Sequence, residues 1–249
     1  MPPEVATCWR PSLVRAVIPG EGTSPPRPLS PRPTVSTMSS YDPRTPSRRP
    51  LDYVEFGPGL VDDIDRRLIG DTRRRKVLDL GCGAGHTAVG LARRGARVIA
   101  TDNDAEQVAA ARALAAEHGV AIEFHEAGPA ELAFVRADQI DLAVSVWALS
   151  LVEDLDRVFR QVHRCVRAGG HVVVSLPHPA LLTADPDDPT RVAQSWETRT
   201  PIGERHVHTA EDLVTAFTRT NFAVDVLLER HHGGSTPVTL LARARRLGA

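Results

Sequence analysis

The sequence predicts an α/β domain whose mostly parallel sheet is covered by helices on both faces, and three observations predict it. From residue 77 onward, near-continuous apolar runs of strand length alternate with helical patterns, the signature of a parallel sheet buried on both faces. The first run enters a turn with glycine at alternate positions, Gly81, Gly83 and Gly85. An acid, Asp102, closes the second run, Val98 to Asp102. In such sheets a ligand lies across the carboxyl ends of the strands.

The stretch Val77-Leu-Asp-Leu-Gly-Cys-Gly-Ala-Gly-His86 organises the rest. Glycines so placed leave no Cβ atoms above the turn, so a ligand can rest against bare backbone near the N-terminus of the next helix, Thr87 to Arg94. A dinucleotide turn would read G-x-G-x-x-G, but His86 stands where its last glycine belongs, and Asp79 sits two residues before the first. A carboxylate there repels a pyrophosphate and attracts a cation. Asp102 falls where an acidic side chain accepts from ribose hydroxyls. Together they suit a cationic amino acid attached to a nucleoside.

Asp79-x-Gly81-x-Gly83-x-Gly85, then Asp102, then Ser145-Val-Trp-Ala-Leu149, with the Arg167-Ala-Gly-Gly-His171 turn before three valines, resembles the class I S-adenosylmethionine-dependent methyltransferases of small-molecule type. The resemblance runs from roughly Tyr53 to the C-terminus. It implies a Rossmann-like fold with a seven-stranded, mostly parallel sheet of order 3-2-1-4-5-7-6 and S-adenosyl-L-methionine as cofactor. Around that cofactor it places Asp79, Gly81, Cys82, Gly83, Gly85, Asp102, Asn103, Gly128, Ser145 and Trp147. Two departures fall on the adenine side. Asn103 stands where the family commonly has an apolar residue against adenine, and Gly128, followed by Pro129, stands where an aspartate usually accepts from its amino group. Pro129 has no amide hydrogen to offer adenine; Glu126 or Glu131 is expected to substitute for the aspartate, or adenine to be held mainly by backbone and by stacking.

Taken in order, residues 1–50 hold twelve of the twenty prolines and no sustained apolar periodicity, and are expected to be a disordered Pro/Arg-rich extension to a domain spanning 51–249. Met38 is the only methionine after Met1, so translation is expected either to begin there or to add a dispensable segment. Tyr53 to Gly59 precedes an expected helix, Leu60 to Ile69; Tyr53 and Phe56 are candidates for a cofactor lid or for packing on the sheet. After the second strand, Asp104 caps a helix running to about His118, which Gly119 ends. A third strand, Val120 to His125, a short helical piece near Ala130 to Ala137 and a fourth strand, Ile140 to Val146, follow. Glu153, Asp154 and Asp156 suit the positive end of a helix reaching Arg167, and His171 to Leu176 makes strand five. Thr209 caps a helix to Thr220, before two last strands, Ala223 to Glu229 and Pro237 to Arg243. In the resembled fold these two form an antiparallel hairpin at the sheet edge.

Composition narrows the classes. A net charge of -1 argues against a general nucleic-acid binder, and the arginine runs at 73–75 and 93–94 read as solvated edges. Cys8, Cys82 and Cys165 are few and widely spaced, so neither a disulfide framework nor a metal site is expected. No stretch approaches the ~20 apolar residues that cross a bilayer. The expectation is a cytoplasmic enzyme with no nucleic-acid or membrane partner.

Beyond strand five, residues 177–207 are too long for an ordinary connection and read as a substrate-covering insertion. His178, at the end of strand five, is the candidate general base for a weakly acidic acceptor, with His206 and His208 behind it; a plain loop role is the alternative. Trp147 walls the site or belongs to the core. The strand-four end lacks the Asn-Pro-Pro-Tyr of amino-methylating nucleic-acid enzymes, which leaves a small-molecule methyl acceptor. Two other readings remain open: an S-adenosylmethionine-binding protein without turnover, and an NAD-dependent oxidoreductase, for which Lys76 is badly placed.

Overall fold

The computed structural model describes residues 51–248 except 52, 59, 62–67, 186, 189 and 233–235. The expected disorder of 1–50, the start at Met38 and most of the expected helix at 60–69 lie outside the described residues. The described start of that helix is a correction: Leu60–Val61 is a strand, paired antiparallel with Glu55–Gly57. Gly57 and Pro58 turn the chain so that Leu60 comes opposite Gly57, and an N-terminal hairpin forms.

Seven strands make the main sheet: β1 Lys76–Leu80, β2 Arg97–Asp102, β3 Ile122–Glu126, β4 Ile140–Val146, β5 Val166–Pro177, β6 Phe222–His231 and β7 Pro237–Arg246. Their order is β3-β2-β1-β4-β5-β7-β6, as the resemblance implies. The first five run parallel, and β7 lies antiparallel between β5 and β6. Strand order reverses between β1 and β4, so a crevice opens at their carboxyl ends.

Helices α1 His86–Arg93, α2 Ala105–Glu117, α3 Leu155–Cys165, α4 Pro179–Leu182 and α5 Ala210–Arg219 complete the described elements of regular α-helix. Their starts follow side-chain chemistry. Asp104 accepts the Glu106 amide at 2.8 Å, Asp154 accepts the Arg157 amide at 2.8 Å, and Thr209 with Asp212 forms a reciprocal capping box. Along α3, Leu155, Val158, Phe159, Val162 and Cys165 recur at helical spacing and are buried. Phe159 stacks on Phe217 of α5 at 4.3 Å.

The pleat splits the core into two layers. Val77, Val144 and Val173 face one way with residues of α1 and α2, while Leu78, Ala143, Val172 and Val174 face α3 and α5. Single expected elements shift. Ala130 to Ala137 forms turns rather than a helix, because Arg164 takes the carbonyls of Leu132 and Val135 at 2.6 and 2.7 Å. The α3 helix stops at Cys165 instead of Arg167, and β5 begins at Val166 with Gly169 at φ 73° carrying the irregularity. Asp141, at the start of β4, holds both sides: it accepts from the Lys76 amide at 2.8 Å and from Arg167 Nε at 2.6 Å.

Candidate active site

The glycine turn is built by close approach as much as by ligand clearance. Gly81 has φ 69°, and a Cβ there would meet the Ala148 Cβ at 2.2 Å. Gly85, the N-cap of α1, has φ 89°, and its Cβ would meet Ala111 of α2 at 2.7 Å. Gly85 therefore serves helix packing, while Gly81 borders the crevice. Between them Gly83, at φ 50°, aims its amide at the Asp102 Oδ2, 2.8 Å away. Cys82 is a small buried residue, its amide on the Thr101 carbonyl at 2.8 Å; burial, with Asp79 and Asp102 nearby, pushes its thiol up and keeps it neutral.

Asp79 is 1% exposed, and its Oδ2 has no hydrogen-bond partner. Burial first and the charge of Asp102 second push its carboxyl up to about 7, against a smaller opposing contribution from the Ala88 amide. A buried carboxylate with an open lone pair asks for a cationic N–H donor. Asp102 differs: it accepts from Gly83 and, through Oδ1, from the Asp104 amide at 3.1 Å, yet still borders open space.

That space is a cavity of about 690 Å3 lined by Gly81, Asp102, Asn103, Asp104, Ala105, Glu126, Pro129, Trp147, Ala148, Leu151, Val152, Glu204 and Arg205. Its lining carries four carboxylates against one arginine, a balance that favours a cation. Of the expected cofactor residues, Gly81, Asp102, Asn103 and Trp147 line it, whereas Asp79, Cys82, Gly83, Gly85, Gly128 and Ser145 do not. The Ser145 hydroxyl donates to the Leu80 carbonyl at 2.9 Å, tying β4 to β1. The Gly128 amide donates to Glu131 Oε2 at 3.1 Å, which turns Glu131 onto backbone and leaves Glu126 as the carboxylate of this stretch on the cavity.

Trp147 sits in the left-handed region at φ 59° and is 3% exposed. Its carbonyl accepts from the Ser150 hydroxyl at 2.6 Å, its amide donates to the Ser175 carbonyl at 2.8 Å, and the Arg205 guanidinium stands 5.7 Å from its ring centroid. Arg205 also donates to Ser150 Oγ at 2.5 Å. Glu204 and Arg205 were not among the expected site residues. The length of the 177–207 insertion is the signal that pointed toward them, without saying which of its residues would return to the cavity.

His178 is not placed as a base. Its Nδ1 accepts from the Ala180 amide at 3.0 Å as the N-cap of α4, which leaves the proton on Nε2, facing Glu229 Oε1 at 3.2 Å. Burial lowers its pKa, and it does not line the cavity. His206 and His208 do not lie behind it as expected: they bond to Ser150 and Val152 and line a second cleft with Glu153, Arg199 and Asp212. Phe56 is fully buried with Trp147 in one core layer and Tyr53 is half-buried; the hairpin that carries Phe56 lies against β4, β5 and β7.

Comparison with known proteins shows what the chain resembles. Residues 77–170 match the family model of a methyltransferase domain. Ubiquinone biosynthesis O-methyltransferase of Pseudomonas aeruginosa is 35% identical over 123 residues, 49% of this chain and 51% of that protein. Its Pseudomonas syringae counterpart is 34% identical over 121 residues, with the same shares. The chain thus spans about half the length of the curated relatives it matches. A solved S-adenosylmethionine-dependent methyltransferase of Mesorhizobium loti shares 26% identity with a TM-score of 0.64, covering 73% of this chain and 95% of that one. The cyclase SpnF, 18% identical with a TM-score of 0.59 over 76% of this chain and 80% of that one, shares the fold alone. By its matched segment, its strand order and these relatives, the chain is similar to the class I S-adenosylmethionine-dependent methyltransferases, whose fold it shares.

Proposed function

We propose that this protein transfers a methyl group from S-adenosyl-L-methionine to a small-molecule acceptor. The observation that carries the reading is the pair Asp79 and Asp102: one buried carboxylate with an open oxygen, and one on the rim of an acid-lined cavity. Asp79 would take the cofactor's aminium and Asp102 its ribose hydroxyls, with Gly81, Asn103 and Trp147 along the cavity wall. The sulfonium supplies an activated methyl group, so the chain's own task is to orient the acceptor in line and exclude water. The buried Trp147 and the insertion residues Glu204 and Arg205 are suited to that.

In this reading residues 51–249 are the methyltransferase domain, 1–50 an extension, and 177–207 the cover of the acceptor side. The acceptor is neither nucleic acid nor membrane lipid, as the net charge of -1 suggests. Free buried Cys82 and Cys165 support a cytoplasmic setting.

A second reading, cofactor binding without turnover, draws on His178, whose two ring nitrogens are engaged away from the cavity. Calorimetric titration of the full chain with S-adenosylhomocysteine, with NADH as comparator and Asp102→Ala as control, tests both. Micromolar binding weakened by the substitution, followed by methyl transfer to a member of a hydroxyl- and amine-bearing acceptor panel, supports the enzyme. Binding with no transfer across the panel supports the second reading, and binding of NADH instead sinks both.

A further inference from the structure

Two buried hydroxyls stand where nothing in the fold uses them. Ser175 and Thr239 are each 0% exposed, and neither side-chain oxygen has a hydrogen-bond partner. They lie near the carboxyl end of the sheet on neighbouring strands, Ser175 on β5 opposite Leu241 and Thr239 on β7 opposite Pro177. Directly opposite residues share a face, and so do residues two apart, so both hydroxyls project from one face as diagonal neighbours. Val146 of β4 is opposite Ser175 on that face, and Asp79 of β1 is opposite Val144, two residues earlier. A row on one face therefore crosses four strands, Asp79, then the apolar Val146, then Ser175 and Thr239, and its three polar members each have an unmatched oxygen.

The cover over this row is the N-terminal hairpin. A Cβ on Gly57 would come within 2.3 Å of Thr239 Oγ1 and 3.2 Å of Trp147 Nε1, so the hairpin backbone lies directly on the hydroxyl and against the indole. Packing alone does not call for these hydroxyls: valine and alanine would fill the same space without an unmatched donor. The hairpin is small, two and three residues a strand with an irregular register, and a ligand that lifted it would reach Thr239 first, with Ser175 as the diagonal neighbour on the same face.

We propose that Ser175 and Thr239 are the acceptor-recognition residues of the methyltransferase, and that they bind a neutral hydroxyl or carbonyl group of a compact apolar acceptor entering beneath the paired strands Glu55–Gly57 and Leu60–Val61. This rests on the methyltransferase reading. The neighbouring residues of the face, Val144, Val146, Val173 and Leu241, are apolar, so an anionic group would meet Asp79 with no countercharge on that face. Phe56 and Trp147, buried in the same layer, suit a planar apolar body.

The test uses phenol and benzoate as probes, titrated into the full chain saturated with S-adenosylhomocysteine, for the unsubstituted protein and for Ser175→Ala, Thr239→Val and Thr239→Ser. Phenol should bind more tightly than benzoate. Its affinity should fall about three- to tenfold in Ser175→Ala and Thr239→Val, each the loss of one hydrogen bond, and return in Thr239→Ser. Affinity for S-adenosylhomocysteine should stay within about twofold, and the melting temperature of the unliganded variants should be unchanged or higher, since an unmatched donor is removed. Phenol binding that is absent, equal in all four proteins or weaker than that of benzoate overturns the proposal while the cofactor reading stands. Loss of S-adenosylhomocysteine affinity in the two hydroxyl-deleted variants overturns it by moving the hydroxyls to the cofactor. An unsubstituted chain that binds no S-adenosylhomocysteine overturns the methyltransferase reading itself.

Discussion

The Gly83 amide donates to the Asp102 carboxylate across 2.8 Å, so the acid that ends β2 clasps the turn that ends β1. One side chain thereby fixes the shape of the glycine turn and presents its remaining acceptor capacity to the cavity. Asp102→Ala should act on both. Leaving the buried Gly83 amide unmatched should cost about 1–3 kcal/mol of stability, read by urea unfolding. Affinity for S-adenosylhomocysteine should fall at least tenfold, and Asp102→Asn, which keeps one acceptor oxygen, should recover more stability than affinity.

Asp79 predicts a pH dependence of definite sign. Its folded pKa, about 7, lies above the ordinary value of 3.8, so between these the folded chain holds a proton that the unfolded chain has lost. This group therefore stabilises the fold less and less as pH rises from 3.8 to about 7, and its full penalty stands above 7. Asp79→Asn should raise the unfolding free energy at pH 8 by up to ~4 kcal/mol and change it little at pH 4. The same variant should lose cofactor affinity. In the unsubstituted protein, affinity for the aminium of S-adenosylhomocysteine should climb with pH through 7, in parallel with ionisation of the carboxyl.

Gly85 and Gly119 both have positive φ, 89° and 63°, but only Gly85 is hemmed in. Gly119→Ala, which meets nothing within 4 Å, should cost about 1 kcal/mol from backbone conformation alone. Gly85→Ala adds the clash with Ala111 and should cost roughly 2–4 kcal/mol, measured by thermal unfolding.

His178 should behave as a cap. Replacing it with alanine should remove about 1 kcal/mol of stability and lower turnover less than tenfold once an acceptor is known. A general base would lose about a hundredfold or more and shift the pH-rate profile. Its folded pKa lies below the ordinary 6.5, so below that value unfolding takes up a proton here and acid weakens the cap.

Local pattern was enough for the sheet. The central strands β1 and β4 are short runs buried along nearly their whole length, and Asp104 and Asp154 start the helices that follow β2 and β4, so the order of elements and the acids at Asp79 and Asp102 are readable along the chain. Two departures from that pattern depend on contacts with the rest of the fold. The turns at 130–137 exist because Arg164, some thirty residues away, takes their carbonyls. Leu60 joins a strand because Gly57 and Pro58 turn the chain against β4, β5 and β7.

What the sequence determined by itself was the class of the domain and the chemistry of its first two strand ends, because glycine spacing and a carboxylate's charge act over a few residues. Tertiary structure alone decided what each candidate does. Gly85 fills a helix contact, Ser145 ties two strands and His178 caps a helix, while Glu204 and Arg205 return from a distant loop to the cavity. Only packing determines which polar atoms find partners, and only there do Asp79, Ser175 and Thr239 emerge as buried groups with an oxygen to spare.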